Sequence, residues 1–214
     1  LLFMPYTGKE QTDKGTQENP EAGYASRYSH EQEIARPGYY AVSLSDYGVK
    51  VELTASDRVA FHRYTYPEGA DRRVMVNLKE VETFLKQVDE HTIQGYRYSK
   101  GWSKDQRIFF TAVFSEPVVL SLIDDQTPVE GTELKGLNVK GNLTMNGPEN
   151  QLLVKVGISP VSMENAWENI KTEIPDWDFE HVVAQTDQKW NRELAKVRIE
   201  SPDTAALNIF YTGM

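Results

Sequence analysis

The sequence predicts a mainly β protein, a sandwich or barrel followed by α-helices, on three observations. From Tyr39 to about Ser159, short runs rich in β-branched and aromatic residues follow one another, separated by Gly, Pro, Asp and Asn. Within these runs the apolar period is two: Val49, Val51 and Leu53 alternate with Lys50, Glu52 and Thr54, the pattern of a half-buried strand. At Pro160 the composition changes, and capped segments with an apolar repeat near 3.6 residues take over.

In chain order, Leu1 to Pro5 is apolar, too short for a signal peptide and not preceded by a basic segment, so it reads as the last part of a strand. The chain therefore reads as cut from something longer. Residues 6–37 are polar and rich in Gly, Gln, Glu and Asn, and are expected to form one long loop. Near its end Pro37-Gly38 forces a turn before the first strand at Tyr39, which puts the residues ahead of it on a loop at a sheet edge. Strands are then predicted at Arg58 to Tyr66, Arg73 to Leu78, Gly95 to Ser99, Arg107 to Phe114, Val118 to Ile123 and Leu152 to Ile158. Lys79 to Gln87 carries a helical stripe (Val81, Phe84, Leu85, Val88), but its neighbours are all β and strand is the expectation. Gly131, Gly136 and Gly141 do not match a phosphate-loop spacing and read as turns. Beyond Pro160, Ser162 caps a helix from about Met163 to Thr172, which Ile174-Pro175 ends. Asp178 caps a second, Phe179 to Lys196, with its stripe on Phe179, Val182, Val183, Thr186, Trp190 and Leu194. Val197 to Glu200 is short and extended, and Ser201-Pro202-Asp203 opens a last helix that continues through Tyr211.

Composition bounds the function. A chain of 214 residues makes one or two domains and buries enough surface to fold without a metal or disulfide staple. It has no cysteine, hence no disulfide, no CxxC metal site and no thiol nucleophile. The net charge is −9 and the basic residues are dispersed, which argues against a nucleic-acid partner. No apolar run approaches the ~20 residues of a transmembrane segment. Asn142-Leu143-Thr144 fits a glycosylation acceptor, a triplet that arises easily by chance.

Before residue 90 the densest site-type chemistry lies between His30 and Arg36, where a histidine, two carboxylates and an arginine fall within seven residues. A zinc-protease motif would need a second histidine four residues after His30, where Ile34 stands. Ser29, His30 and Glu31 cannot form a triad, because neighbours on an extended chain point to alternate faces. His30 and Glu31 remain as groups that either bond sugar hydroxyls or hold a loop. In a second patch, Gly95 to Trp102, Arg97 suits hydroxyls or carboxylates, and Trp102 either offers its indole face to a sugar or closes one end of the core. Trp167, Trp177 and Trp190 read as glue between helices and sheet. Asp176 and Asp178 flank Trp177, but two carboxylates do not complete a calcium shell, and Asp178 reads as a helix cap. On spacing, then, neither the metal reading nor the triad reading of these residues holds.

Several segments together resemble one family. They are Tyr28-Ser29-His30-Glu31 with Glu33, Ala35 and Pro37-Gly38-Tyr39-Tyr40; Tyr47-Gly48-Val49 with Val51-Glu52-Leu53-Thr54-Ala55-Ser56 and Arg58; and Gly95-Tyr96-Arg97 with Ser99 and Gly101-Trp102. Val154 to Ser162, Trp190-Asn191 with Glu193-Leu194, and Phe210-Tyr211-Thr212 complete the set. In this order and in one register they resemble glycoside hydrolase family 92, the calcium-dependent exo-acting α-mannosidases common in gut Bacteroidetes. The resemblance implies a galactose-mutarotase-like β-supersandwich (residues 1–160), a helical linker (161–200) and the start of an (α/α)6 barrel (201–214). It implies an inverting hydrolysis of α-linked mannose from glycans, with calcium and the catalytic carboxylates held by the remainder of the barrel, the partner domain of the sandwich. It also implies a periplasmic, secreted or cell-surface location. The expected substrate-binding residues here are His30, Glu31, Arg97 and Trp102, with no activity in the chain alone. A stand-alone carbohydrate-binding module and a structural domain without a ligand are the alternatives.

Overall fold

The structure is a computed structural model that describes residues 1–16, 18, 19, 22–79 and 81–213. Gln17, Pro20 and Glu21 of the expected loop, with Glu80 and Met214, lie outside the described residues. The strands in chain order are β1 (Leu2–Thr7), β2 (Ile34–Arg36), β3 (Tyr39–Leu44), β4 (Val49–Ala55), β5 (Val59–Thr65), β6 (Arg72–Asn77), β7 (Glu82–Asp89), β8 (Thr92–Ser99), β9 (Gln106–Phe114), β10 (Val118–Asp124), β11 (Thr127–Val129), β12 (Glu133–Gly136), β13 (Val139–Met145) and β14 (Gln151–Ser159). The helices are α1 (Met163–Glu173), α2 (Phe179–Leu194) and α3 (Thr204–Thr212).

The strands form a five-stranded sheet, β1-β6-β13-β10-β11, and a nine-stranded sheet, β12-β7-β8-β9-β14-β5-β4-β3-β2. Period-two side chains fill the space between them. Val51, Tyr64, Leu85, Ile93, Phe110 and Val154 of the large sheet meet Val74, Val76, Leu120 and Leu143 of the small one. The opposite face of the large sheet is covered by helices. There Val59 and Phe61, one residue out of phase with Tyr64, join Ile170, Ile174, Phe179, Val182 and Val183. The expected helix caps are present: Ser162 Oγ accepts from Asn165 N (3.1 Å), and the Asp178 and Asp203 carboxylates accept from His181 N and Ala205 N (both 2.9 Å). None of the α3 residues is buried. No helix among the described residues is long and apolar enough to cross a membrane.

Three expectations need correction. The segment 6–37 is not all loop, since β1 runs to Thr7 and Ile34–Arg36 is an edge strand paired with β3. Gly136 and Gly141 lie in strands, β12 and β13, rather than in turns. A Cβ at Gly141 would fall 2.5 Å from Leu120 Cδ1 and 2.7 Å from Leu85 Cδ2, so this glycine serves the close approach of the two sheets. The Asn142 acceptor triplet is inaccessible, because Asn142 is 0% exposed and its amide donates to Gln11 O (2.7 Å).

The polar segment after β1 straps the outer face of the small sheet. Tyr24 packs with Tyr6, Met75 and Ile123, and Asn77 Nδ2 donates to Tyr24 Oη (2.7 Å). Lys140 Nζ donates to Thr12 O, and Tyr47 Oη donates to Gly23 O (2.7 and 2.9 Å). The strap then crosses to the free edge of the large sheet, where it delivers the His30 cluster.

Candidate functional site

The β2–β3 hairpin turns on Pro37-Gly38, with Gly38 at φ +80. A Cβ at Gly38 would lie 2.5 Å from Thr186 Cγ2 and 3.2 Å from Trp190 Cδ1, so the missing side chain also lets α2 sit on the turn. Thr186 Oγ1 donates to Ala55 O (2.8 Å), and the ion pairs Arg36–Asp187 (2.5 Å) and Lys189–Asp57 (2.7 Å) fix the helix across the sheet edge. Between them lies a mainly apolar groove of about 850 Å³, walled by Tyr40, Leu53, Ala60, His62 and Trp190. Trp190 is thus a half-exposed groove wall as well as glue. Burial pushes the His62 imidazole down to about 4, so it enters the groove neutral at pH 7; its Nδ1 lies 2.6 Å from Tyr64 Oη.

Just outside the groove the chain makes one short 3-10 turn, His30–Gln32, capped by Ser29 Oγ, which accepts from Glu31 N (3.2 Å). A 3-10 turn eclipses side chains three apart. His30 and Glu33 therefore meet, with Nδ1 2.5 Å from Oε2, while the Tyr28 ring stands edge-on to the imidazole at 5.3 Å. The other oxygen of Glu33 accepts from Tyr40 Oη (2.6 Å). That bond, then the one to His30, holds the Glu33 carboxyl below the usual carboxylate range; in return Glu33 pushes the Tyr40 phenol up to about 12. Glu31 is exposed and joins the cluster through its backbone. Glu33 and Tyr40, not among the expected site residues, are the members that link the cluster to the groove; the i, i+3 spacing was the signal.

Arg97 lies half-buried on β8, between Thr83 and Ile108. Trp102, in the β8–β9 loop, is 103% exposed and belongs to neither core, which removes the possibility that it closes the sandwich. On the sheet face opposite Arg97, Phe84, Tyr96 and Tyr98 stack at 5.4 and 4.7 Å, and the Arg107 guanidinium covers Tyr98 at 5.3 Å. The structure does not bring the four expected residues together. Five strands separate β8 from β2, about 29 Å along the sheet at ~4.8 Å per spacing. Among the described residues no group of three or more His, Asp or Glu is placed to hold a metal ion.

Residues 1–159 match the glycosyl hydrolase family 92 N-terminal domain, and residues 165–214 match the family 92 catalytic domain. No curated protein sequence matches the chain. Among solved structures, a family GH92 alpha-mannosidase from Bacteroides thetaiotaomicron is 34% identical with a TM-score of 0.88, covering 94% of this chain. The same enzyme in complex with mannoimidazole matches equally. A family GH92 inverting mannosidase from Bacteroides thetaiotaomicron, 23% identical over 94% of the chain with a TM-score of 0.82, shares the fold. The chain spans 29% of the length of the first of these and 27% of the last. With three quarters of its residues on the N-terminal family model and most of the rest on the catalytic one, the chain belongs to glycosyl hydrolase family 92.

Proposed function

We propose that this chain is the sandwich and first helices of an exo-acting, inverting α-mannosidase that releases α-linked mannose from glycans, working outside the cytoplasm. The observation that carries this reading is the 34% identity, over 94% of the chain, to a family GH92 alpha-mannosidase that has also been solved with mannoimidazole. Inversion requires two carboxyl groups ~6.5–9.5 Å apart with a water between them. Among the described residues no group of three or more His, Asp or Glu is placed to hold a metal ion, which falls short of a calcium shell of six to eight oxygens. On this reading the acid, the base and the calcium ligands belong to the remainder of the catalytic domain. The sandwich contributes pocket wall: His30 and Glu31 beside the groove, and Arg97 and Trp102 at a second station on the same sheet. The exposed Ile209 and Tyr211 of α3 support docking of that helix among further barrel helices.

The full-length protein is expected to release mannose from α-mannobiose only with calcium, and the 214-residue chain to release none. Turnover by the chain alone, repeated with an independent preparation, would overturn the assignment. Trp102→Ala should lower affinity for mannoside while leaving the melting temperature within about 1 °C, because a fully exposed indole buries nothing. That exposure also favours a second reading, a carbohydrate-binding module that acts without the barrel. Calorimetric binding of millimolar mannobiose by the 214-residue chain would support it, and a flat titration would remove it.

A further inference from the structure

Glu33 joins the groove wall to the solvent. One carboxylate oxygen accepts from Tyr40 Oη (2.6 Å), and Tyr40 lines the groove. The other lies 2.5 Å from Nδ1 of His30, whose side chain is 81% exposed. A carboxylate on Nδ1 keeps the ring proton there in the neutral imidazole, so Nε2 retains its lone pair. The same carboxylate takes up the Tyr40 O–H, which leaves the phenolic oxygen free to accept. Glu33 thus creates two acceptors, one on the groove wall and one at its rim. Hydroxyl-rich ligands are what such acceptors suit, since each sugar hydroxyl carries a donor.

Stability does not account for this arrangement. The 3-10 turn buries no residue and all three residues of β2 are exposed, so within the cluster only the Tyr40 ring packs on the sandwich core, and the Glu33–His30 pair covers none of it. Exposed ion pairs contribute little to folding. We propose that Glu33 is a positioning residue for glycan binding, which holds Tyr40 and His30 as hydroxyl-directed acceptors. The proposal rests on the reading of the chain as part of a mannosidase.

The test uses the full-length protein and α-mannobiose. Glu33→Gln keeps the shape but releases the tautomer, and should raise KM about tenfold with kcat within about twofold. His30→Ala should do the same, and the double variant should be no worse than the poorer single one, because the two residues act as a unit. Tyr40→Phe keeps the ring on the groove wall and should raise KM by about fivefold while lowering the melting temperature by no more than about 4 °C, the cost of one hydrogen bond, which covers the case in which Glu33→Gln folds poorly. A KM for Glu33→Gln and Tyr40→Phe within twofold of the parent overturns the proposal, as do Glu33 and His30 effects that multiply in the double variant. If the parent turns over no α-mannoside, the mannosidase reading itself fails and the positioning role falls with it. Parent turnover with indifferent variants overturns the positioning role alone.

Discussion

Gly157→Ala is the sharpest probe of how the helices are seated. Gly157 lies on β14 directly beneath α1, and its backbone is extended, so an alanine meets no φ/ψ strain. Its Cβ would nevertheless fall 2.2 Å from the carbonyl oxygen of Ala166 and 2.8 Å from Ile170 Cγ1. An unstrained carbon–oxygen contact is more than 3 Å, so α1 must retreat by roughly 1 Å, and a gap of that size forfeits a quarter to a half of each dispersion contact it opens. Both Ala166 and Ile170 are buried, and the clash is with backbone that cannot rotate away. Overpacking costs about 1–3 kcal/mol, and this site belongs at the upper end. For a chain of this size, about 3 kcal/mol lowers the melting temperature by roughly 6–12 °C. Differential scanning calorimetry measures it, with Gly101→Ala as the control: nothing lies within 4 Å of that Cβ, and its melting temperature should stay within about 1 °C. Melting of Gly157→Ala within 2 °C of the parent would refute the reasoning. Ala166→Gly should not rescue it, because the obstructing atom is a main-chain oxygen.

Two further outcomes follow from buried charge. Lys155 is 3% exposed, with Nζ 4.1 Å from the Trp177 ring centroid and 3.0 Å from Pro175 O, and burial, only partly opposed by Asp176, pushes its ammonium down to about 8. The unfolded chain then binds more protons between pH about 8 and 10.5, so stability should rise over that window as the buried charge is relieved, and Lys155→Met should flatten the rise in urea titrations. Above pH 10 the phenols of Tyr6, Tyr39 and Tyr40, all pushed up to about 12, reverse the slope, because the folded state keeps protons that the unfolded state loses. Glu116→Gln should cost about 3 kcal/mol in the urea midpoint, because it strips the carboxylate from Arg72, which is buried and otherwise bonded to Gly147 O (2.7 Å).

The elements whose side chains face a core on one side were legible in the sequence. The alternation along β4, the Ser162 and Asp178 caps and the Pro37-Gly38 turn were all readable, and the helix ends were placed within two residues. The strand reading of the ambiguous segment 79–87 holds for Glu82 onward, where neighbours on both sides override its helical stripe. What escaped was polar on both faces or interrupted by glycine. β2, β11 and β12 are short edge or near-edge strands with no apolar stripe, and β13 carries Gly141 and Asn142 where an alternating pattern would be sought. At the site, sequence density singled out the His30 segment correctly as a cluster at a sheet edge. It chose Glu31 over Glu33, because which carboxylate meets the imidazole depends on a three-residue turn that composition does not announce. The groove itself was invisible, since Tyr40, His62 and Trp190 converge from three distant segments.

The order of strands has a consequence for how this chain can be made. In the large sheet, β2 to β5 form one ribbon of hairpins and β7 to β9 another, and β14 pairs with β5 on one side and β9 on the other. In the small sheet β13 plays the same part between β6 and β10. Both sheets therefore close through the last two strands of the sequence, which take interior places in them. On a ribosome the hairpin ribbons can assemble as they emerge, but each keeps an open edge until residues 139–159 arrive. During that interval the nascent protein is a set of unsealed β-edges, the state in which strands pair with the wrong partner.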